Sequence, residues 1–379
     1  MKIITNYYGK GNLGDDLFLE ILADRYKNHE ICIIGNARYF KKFRKNVRLL
    51  PESVALTLIG KAQSLLSKTP KIVGFLKRIY KRIFERVTKK SKAYILIGGS
   101  VFLSDNGGNA VIPFKTEERP DFSLRELEPF KSGQFVIGAN LGPAFSEKYW
   151  ETVRARLSRF GAVSLRDYSS YVKVRDLGNV QYAPDVIFNL EPEIRPCRDH
   201  AIISVVKIEN HTKDKNKADA YYKLMRDAAL GFTERGIKVV FVSFCKAEGD
   251  EEAIGKIMKE LEDTSMVSTV FYNMENLQEI LDIFSSSCFV VASRFHSMIL
   301  SMVYEKPFFA FSYNCKTENY LNDVEFHGKY ASLEGVLDAS CDDVMYNFEN
   351  RTVADCTMHK KYAANQFAAL DKYLESIGG

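Results

Sequence analysis

At 379 residues the chain exceeds one ordinary core and fits two domains of about 150–200 residues each. Its 46% hydrophobic and 27% charged residues are those of a soluble globular protein. No apolar run reaches the roughly 20 residues that span a bilayer. MKIITNYYG carries no apolar segment before a small-residue cleavage site, so no signal peptide is expected. Seven scattered cysteines without a CxxC pair predict reduced thiols in a cytoplasmic protein and argue against a structural zinc. The net charge of +5 hides an asymmetry, because residues 61–92 hold eleven Lys or Arg against Glu85 alone. That stretch is +10 and the other 347 residues are −5.

In chain order, MKIITNYY predicts a first strand and GKGNLGDD a Gly-rich turn. LFLEILADRYKN then has Leu17, Phe18, Ile21, Leu22 and Tyr26 at helical spacing. EICIIGN reads as a second buried strand. After it, KIVGFLKRIYKRIFERVTKKS (71–91) sets an apolar side of Ile72, Val73, Leu76, Ile79, Tyr80, Ile83, Phe84 and Val87 against Lys77, Arg78, Lys81, Arg82 and Arg86. Pro70 suits the first turn of that helix and Gly74 weakens it. AYILIGGSV, QFVIGANLGP, GAVSLRD and VQYAPD continue as strands. Around EPEIRPCRDH (191–200) the pattern pauses in two prolines and mixed charges, as a linker does. A second series follows: AIISVV, a helix near Ala218 to Arg235, KVVFVSF, EEAIGKIMKELED, VSTVFY, NLQEILDIFSSS, CFVVA and HSMILSMVY, with FFAFSY next. One long closing helix is expected from about Asp355 to Ile377. Continuous apolar strands alternating with helices predict parallel α/β sheets covered on both faces.

Ligands of open parallel sheets bind at the carboxyl ends of strands. SRFH stands at such an end, where CFVVA gives way to a helix whose N-terminus favours an anion. Arg294 adds a planar fork for carboxylate or phosphate. His296, in the first turn, can donate a proton near neutral pH. Lys316 leaves the next strand at the same edge, so three cationic groups frame an anion site with a candidate acid. The same residues also fit a bland arrangement, with Arg294 capping carbonyls, His296 satisfied locally and Lys316 solvated; RxH is too short to choose.

GKGNLGD contains Gly9, Gly11 and Gly14 and is formally GxGxxG, a weak signature by itself. Asp15 and Asp16 at the helix start satisfy the dipole and repel phosphate. This favours a structural or hydroxyl-binding loop, with Asn12 and Asp15 gripping sugar hydroxyls and Asp16 as an N-cap. Arg166 in SLRDYSS and Asp185 in YAPD fall near strand ends, and either also fits a surface salt bridge.

GNLGDD, VSLRDYSS, YAPD and above all SRFHSMIL followed by EKPFFAFSYNCK resemble the polysaccharide pyruvyl transferase family in order and spacing, from residue 3 to about 321. The basic insertion and the final 50 residues add little. The closing motif, RxH at a helix start, then Pro, then Tyr-x-x-Lys, is fairly specific, and Phe295 stands where an aliphatic residue is frequent. The resemblance implies a GT-B-like fold: two Rossmann-like domains facing across a cleft, with a C-terminal helix returning to the first. It implies transfer of the enolpyruvyl carbons of phosphoenolpyruvate to a sugar as a ketal, with release of phosphate. The family's arginine, histidine and lysine match Arg294, His296 and Lys316, and a further arginine matches Arg166. On this reading His296, Arg294 and Lys316 are catalytic, Arg166, Arg294, Lys316 and Ser297 bind the donor, and Asn12 and Asp15 bind the acceptor.

The expected organisation is an acceptor-side domain at 1–192, a phosphoenolpyruvate-side domain at 199–354 and a closing helix at 355–379. Neither metal nor cofactor is expected, with phosphoenolpyruvate as co-substrate. The acceptor is expected on a lipid carrier, residues 61–92 on the inner face of the cytoplasmic membrane, and nucleic acid is not an expected partner. Two other classes fit parts of the chain: a GT-B glycosyltransferase using a nucleotide sugar, with Glu318 as a ribose contact, and a basic membrane or nucleic-acid adaptor resting on 61–92.

Overall fold

The computed structural model describes residues 1–6, 10–34, 44–52, 55, 58–59, 62, 65, 69–88, 91–102, 133–142 and 147–378. Gly9, Lys61, Lys68, Lys89 and Lys90, used in the sequence reading, lie outside this set. Contacts group the chain into two compact units. Met1–Gly9, Phe18–Val186 and Ala364–Gly379 form the first; Lys10–Leu17 and Ile187–Ala363 form the second.

The first unit holds a seven-stranded sheet among the described residues, in the order β3-β2-β1-β4-β5-β6-β7. Its strands are β1 (Lys2–Asn6), β2 (Glu30–Ile34), β3 (Val47–Leu49), β4 (Ala93–Ile97), β5 (Gln134–Ala139), β6 (Ala162–Leu165) and β7 (Val180–Tyr182). Every pairing is parallel. β4 and β5 are buried at every position, which requires cover on both faces and explains their unbroken apolar runs. Helices α1 (Leu13–Arg25), α2 (Pro70–Thr88), α3 (Glu147–Leu157) and α4 (Tyr168–Val172) accompany these strands. The first turn of α1 counts with the second unit.

The second unit repeats the plan with six parallel strands in the order β10-β9-β8-β11-β12-β13. They are β8 (His200–Ser204), β9 (Lys238–Ser243), β10 (Val267–Phe271), β11 (Phe289–Ala292), β12 (Phe308–Ser312) and β13 (Tyr330–Ser332). Between and after them run α5 (Lys215–Thr233), α6 (Asp250–Lys259), α7 (Leu277–Ser286), α8 (Phe295–Val303), α9 (Cys315–Asp323), α10 (Cys341–Glu349) and α11 (Thr357–Tyr362). In both sheets the chain reverses its winding between the first and fourth strands, the switch point where doubly wound sheets bind ligands. In the second unit that point lies between the ends of β8 and β11.

Residues 190–198 carry neither helix nor strand, and β8 begins inside the expected linker, at His200. The closing helix differs from expectation. It is broken into α11, a 3₁₀ turn at Ala363–Gln366 and α12 (Ala368–Gly378). The break serves buried Gln366, whose amide accepts from Gly138 N at 2.9 Å and donates to Ala183 O at 2.8 Å and Pro184 O at 2.9 Å. α12 returns to the first unit, where Asp371 pairs with Arg25 at 2.5 Å and accepts from the Tyr26 hydroxyl at 2.7 Å.

Candidate functional site

β11 is completely buried, and its ladder continues one residue further as Ser293 N donates to Ser204 O at 3.1 Å. The Tyr221 hydroxyl, itself fully buried, accepts from Val206 N at 2.9 Å and donates to Ser293 Oγ at 3.0 Å. One phenol thus ties the exits of β8 and β11 together, so the residues that follow start from a fixed base. Arg294 caps α8 with extended backbone but gives its side chain no capping bond.

The Arg294 guanidinium instead turns to the loop after β9. Nε donates to Asp250 Oδ2 at 3.0 Å, Nη2 donates to Asp250 Oδ1, and Nη1 donates to Glu248 Oε2. Asp250 is wholly buried at the start of α6 and also accepts from Phe244 N at 2.8 Å and Cys245 N at 3.0 Å. Burial raises the Asp250 carboxyl, while Arg294 and the two backbone donors oppose it. Burial alone would lower Arg294, but the charges of Asp250 and Glu248 outweigh it and hold the guanidinium well above its ordinary value. The cation predicted for an anion site therefore already sits between two carboxylates.

His296 is half-buried in the first turn of α8, with its ring edge-on to Phe295 at 5.3 Å between centroids. It lies so close to Gly14 that a Cβ there would stand 1.6 Å from His296 Nδ1. Lys316, in the first turn of α9, places Nζ 5.8 Å from the Phe295 ring and 6.0 Å from the Tyr313 ring. His211, on the turn after β8, packs on Tyr313 with centroids 4.1 Å apart and the rings tilted by 32°. Packing, then the positive charges of Arg294 and Lys316, push its imidazole down to about 4. The residue as a whole is exposed to solvent, so the downward shift is weaker than packing around the ring alone would make it. Two hydroxyls complete the setting: Ser297 Oγ and Thr317 Oγ1, at the third positions of α8 and α9, are buried without a hydrogen-bond partner among the described residues. Buried hydroxyls are ordinarily satisfied, so this pair of orphans marks polar capacity kept in reserve at two adjacent helix starts.

The Gly-rich loop belongs to this same unit. Asn12 bridges Cys245 in antiparallel fashion and Leu13 N donates to Phe244 O at 3.0 Å. Asn12, not Asp16, caps α1: its Oδ1 accepts from Gly14 N at 3.1 Å and its carbonyl from Asp16 N at 2.9 Å. Asp16 lies inside the first turn, 1% exposed, and accepts from the Tyr272 hydroxyl at 2.6 Å. Asp15 is half-buried on the same turn. The loop expected on the acceptor-side domain thus packs with the unit that carries Arg294, His296 and Lys316.

Arg166 is counted with the other unit. It belongs to the first unit, 2% exposed, where Nη1 pairs with Asp185 Oδ2 at 2.8 Å and Nη2 donates to Asn140 Oδ1 at 2.9 Å. The SLRDYSS and YAPD motifs are two sides of one buried ion pair. Gly99 leaves room for it, since a Cβ there would lie 2.3 Å from Nη2. Among the described residues no group of three His, Cys, Asp or Glu side chains is placed to hold a metal ion.

A sequence model of the polysaccharide pyruvyl transferase family matches residues 12–314. The chain belongs to this family. This pyruvyl transferase family member is 23% identical over 433 residues to the amylovoran biosynthesis protein AmsJ of Erwinia amylovora, with all of both chains covered. Its fold is GT-B-like. The UDP-GlcNAc 2-epimerase of Neisseria meningitidis, bound to UDP-GlcNAc, is similar at a TM-score of 0.57 and 11% identity, covering 99% of this chain and 100% of that one. Anabaena HepE in complex with UDP-glucose is similar at 0.57 and 10% identity, covering 100% and 99%. S. aureus MnaA with UDP reaches 0.58 at 10% identity, covering 99% and 97%. At such identities the likeness carries the fold alone.

Sequence reasoning missed Asp250, Glu248 and His211 in this pyruvyl transferase family member, and gave Gly14 no partner. Asp250 reads as an ordinary helix-start acid, and nothing in its neighbours points to an arginine 44 residues later. Gly14 reads as a turn glycine, whereas its need is for space beside His296.

Proposed function

We propose that this protein moves the enolpyruvyl carbons of phosphoenolpyruvate onto a sugar of a cell-surface polysaccharide precursor as a ketal. The supporting observation is the family membership together with the placement of Arg294, His296 and Lys316 on adjacent strand exits of one sheet. Arg294 and Lys316 receive the donor's carboxylate and phosphate, and the Ser297 and Thr317 hydroxyls supply hydrogen bonds to them. Arg166, paired with Asp185 in the first unit, is proposed as a further donor-binding residue.

His296 gives a proton to the methylene carbon of phosphoenolpyruvate, leaving an oxocarbenium-like centre at the adjacent carbon. A sugar hydroxyl adds there and loses its proton. A second hydroxyl then displaces phosphate by breaking the carbon–oxygen bond, and closes the cyclic ketal. The two hydroxyl protons balance the one gained by carbon and the one taken by phosphate. We place the acceptor against Asn12 and Asp15, because their loop carries the Gly14 backbone against His296. Incubating the protein with phosphoenolpyruvate and lipid-linked or free glycan acceptors, and measuring phosphate release, tests the reading. Nucleotide release from UDP-glucose without phosphate from phosphoenolpyruvate would replace it with the glycosyltransferase reading.

We also propose that α2 docks the enzyme on the inner face of the cytoplasmic membrane, where a lipid-linked acceptor resides. Lys71, Phe75, Arg78, Arg82 and Arg86 are exposed at helical spacing, with Ile72 beside them. Tyr80 packs on the first unit's core, and Val73, Leu76, Ile79 and Ile83 are half-buried, so the apolar side is partly committed to the protein. The side chains of Lys77, Lys81, Phe84 and Val87 lie outside the described set. The basic face is therefore the attachment element, each cation contributing about 1 kcal/mol at an anionic surface. No helix among the described residues is long and apolar enough to cross a membrane. Co-sedimentation should need anionic vesicles and fall with salt. Equal recovery on neutral vesicles, or no loss in Arg78→Gln/Arg82→Gln/Arg86→Gln, would sink the docking idea.

A further inference from the structure

We propose that Glu248 is a placeholder carboxylate: it occupies Arg294 in the unliganded protein and is displaced when the anionic donor binds. This rests on the donor reading above only for the identity of the ligand.

Charge makes a displacement necessary. Arg294 faces Asp250 and Glu248, a group with net charge −1, and Lys316 brings the sum to zero. A ligand carrying both a carboxylate and a phosphate gains little from a neutral setting. With one carboxylate withdrawn, the same residues carry +1.

Burial and bonding decide which one leaves. Asp250 is wholly buried and holds Phe244 N, Cys245 N and two guanidinium nitrogens. Withdrawing it would strand two backbone donors and undo the start of α6, at the full desolvation cost of each group. Glu248 has a side chain 33% exposed and reaches Arg294 at Nη1. It ends the 3₁₀ turn Lys246–Glu248, just before Gly249 in the left-handed region at φ 91°. Water is therefore available to Glu248 as a replacement partner, and to Asp250 it is not.

The geometry of the guanidinium fits the exchange. Asp250 grips the Nε and Nη2 edge and fixes the plane of the group. Glu248 holds Nη1, on the end of the fork that a carboxylate or phosphate takes in a bidentate pair. Glu248 thus stands where the ligand's own anionic oxygen would bind, while Asp250 keeps the fork aimed. Glu248 pairs with Arg294, which follows the end of β11, so the placeholder lies at the β8–β11 switch point.

The test is calorimetric titration of phosphoenolpyruvate, and separately of inorganic phosphate, into the full chain as wild type, Glu248→Gln and Glu252→Gln. Glu252 lies on the same helix start but pairs with Lys207, so its variant changes the charge equally without touching Arg294. Glu248→Gln should tighten phosphoenolpyruvate binding by about fivefold or more, the effect of removing one charge at about 4 Å in a water-like dielectric. Glu252→Gln should not. Glu248→Ala serves as a second variant if the glutamine protein folds poorly by circular dichroism. An unchanged or weakened affinity in Glu248→Gln and Glu248→Ala, with wild type binding phosphoenolpyruvate, overturns the placeholder and leaves the donor reading standing. An equal gain in Glu252→Gln overturns it as a general field effect. If no protein binds phosphoenolpyruvate while phosphate binds more tightly to Glu248→Gln alone, the placeholder stands and the donor reading falls. Failure of every variant to bind either anion overturns both.

Discussion

Gly14→Ala isolates the contact on which the proposed acid depends. The added methyl carbon would lie 1.6 Å from His296 Nδ1, 2.3 Å from Cγ and 2.4 Å from Cε1. Ordinary carbon contacts start near 3.5 Å, so the imidazole must retreat by roughly 2 Å. The α1 backbone gains from the change, since Ala exceeds Gly in a helix by about 0.8–1 kcal/mol. Forced repacking costs about 1–3 kcal/mol, so net stability should move by no more than about 2 kcal/mol. Activity is more sensitive: a 1 Å displacement of a catalytic group can cost about 10²-fold. His296→Ala should lower kcat by about 10²–10⁴-fold with donor binding retained, the usual worth of a general acid. The measurement is phosphate release under saturating substrates for Gly14→Ala, His296→Ala and the double variant, with urea unfolding of each. Because Gly14 acts through His296, the double variant should be no slower than His296→Ala alone. A kcat within about threefold of wild type for Gly14→Ala, or additive losses in the double variant, would refute the reasoning.

Two other consequences concern stability. Asp185→Asn removes the carboxylate paired with buried Arg166 and should cost about 3–5 kcal/mol in urea unfolding followed by far-UV circular dichroism; a loss below about 1 kcal/mol would mean the pair is dispensable. The His211 pKa, about 4, lies below that of an unfolded histidine, so between those values the unfolded chain binds more protons. Stability contributed by this residue is therefore complete above about pH 6.5 and is lost as pH falls toward 4. His200 and His359 are also lowered, chiefly by burial, and act in the same direction. His211→Gln should flatten that part of the pH–stability curve, and an unchanged slope would show that His211 is not held neutral.

The sequence by itself determined the class of fold and the position of the site along the chain. Unbroken apolar runs such as AYILI and FVVA can be satisfied only by burial on both faces, and a parallel sheet follows from that requirement. A strand that ends in Arg-x-His before a helix places those residues at the carboxyl edge wherever the sheet is built. Local signals went no further. The break at Ala363–Gln366 exists because Gln366 meets backbone groups at Gly138, Ala183 and Pro184, and no pattern within the last 25 residues encodes those partners. Tertiary structure alone decided that Arg294 faces Asp250 and Glu248, that Arg166 faces Asp185, and that Gly14 lies under His296. Each contact joins residues at least 19 positions apart, and its strength depends on desolvation and angle. Periodicity reports which face of an element is buried, but the identity of the group met there is fixed only when the sheets close.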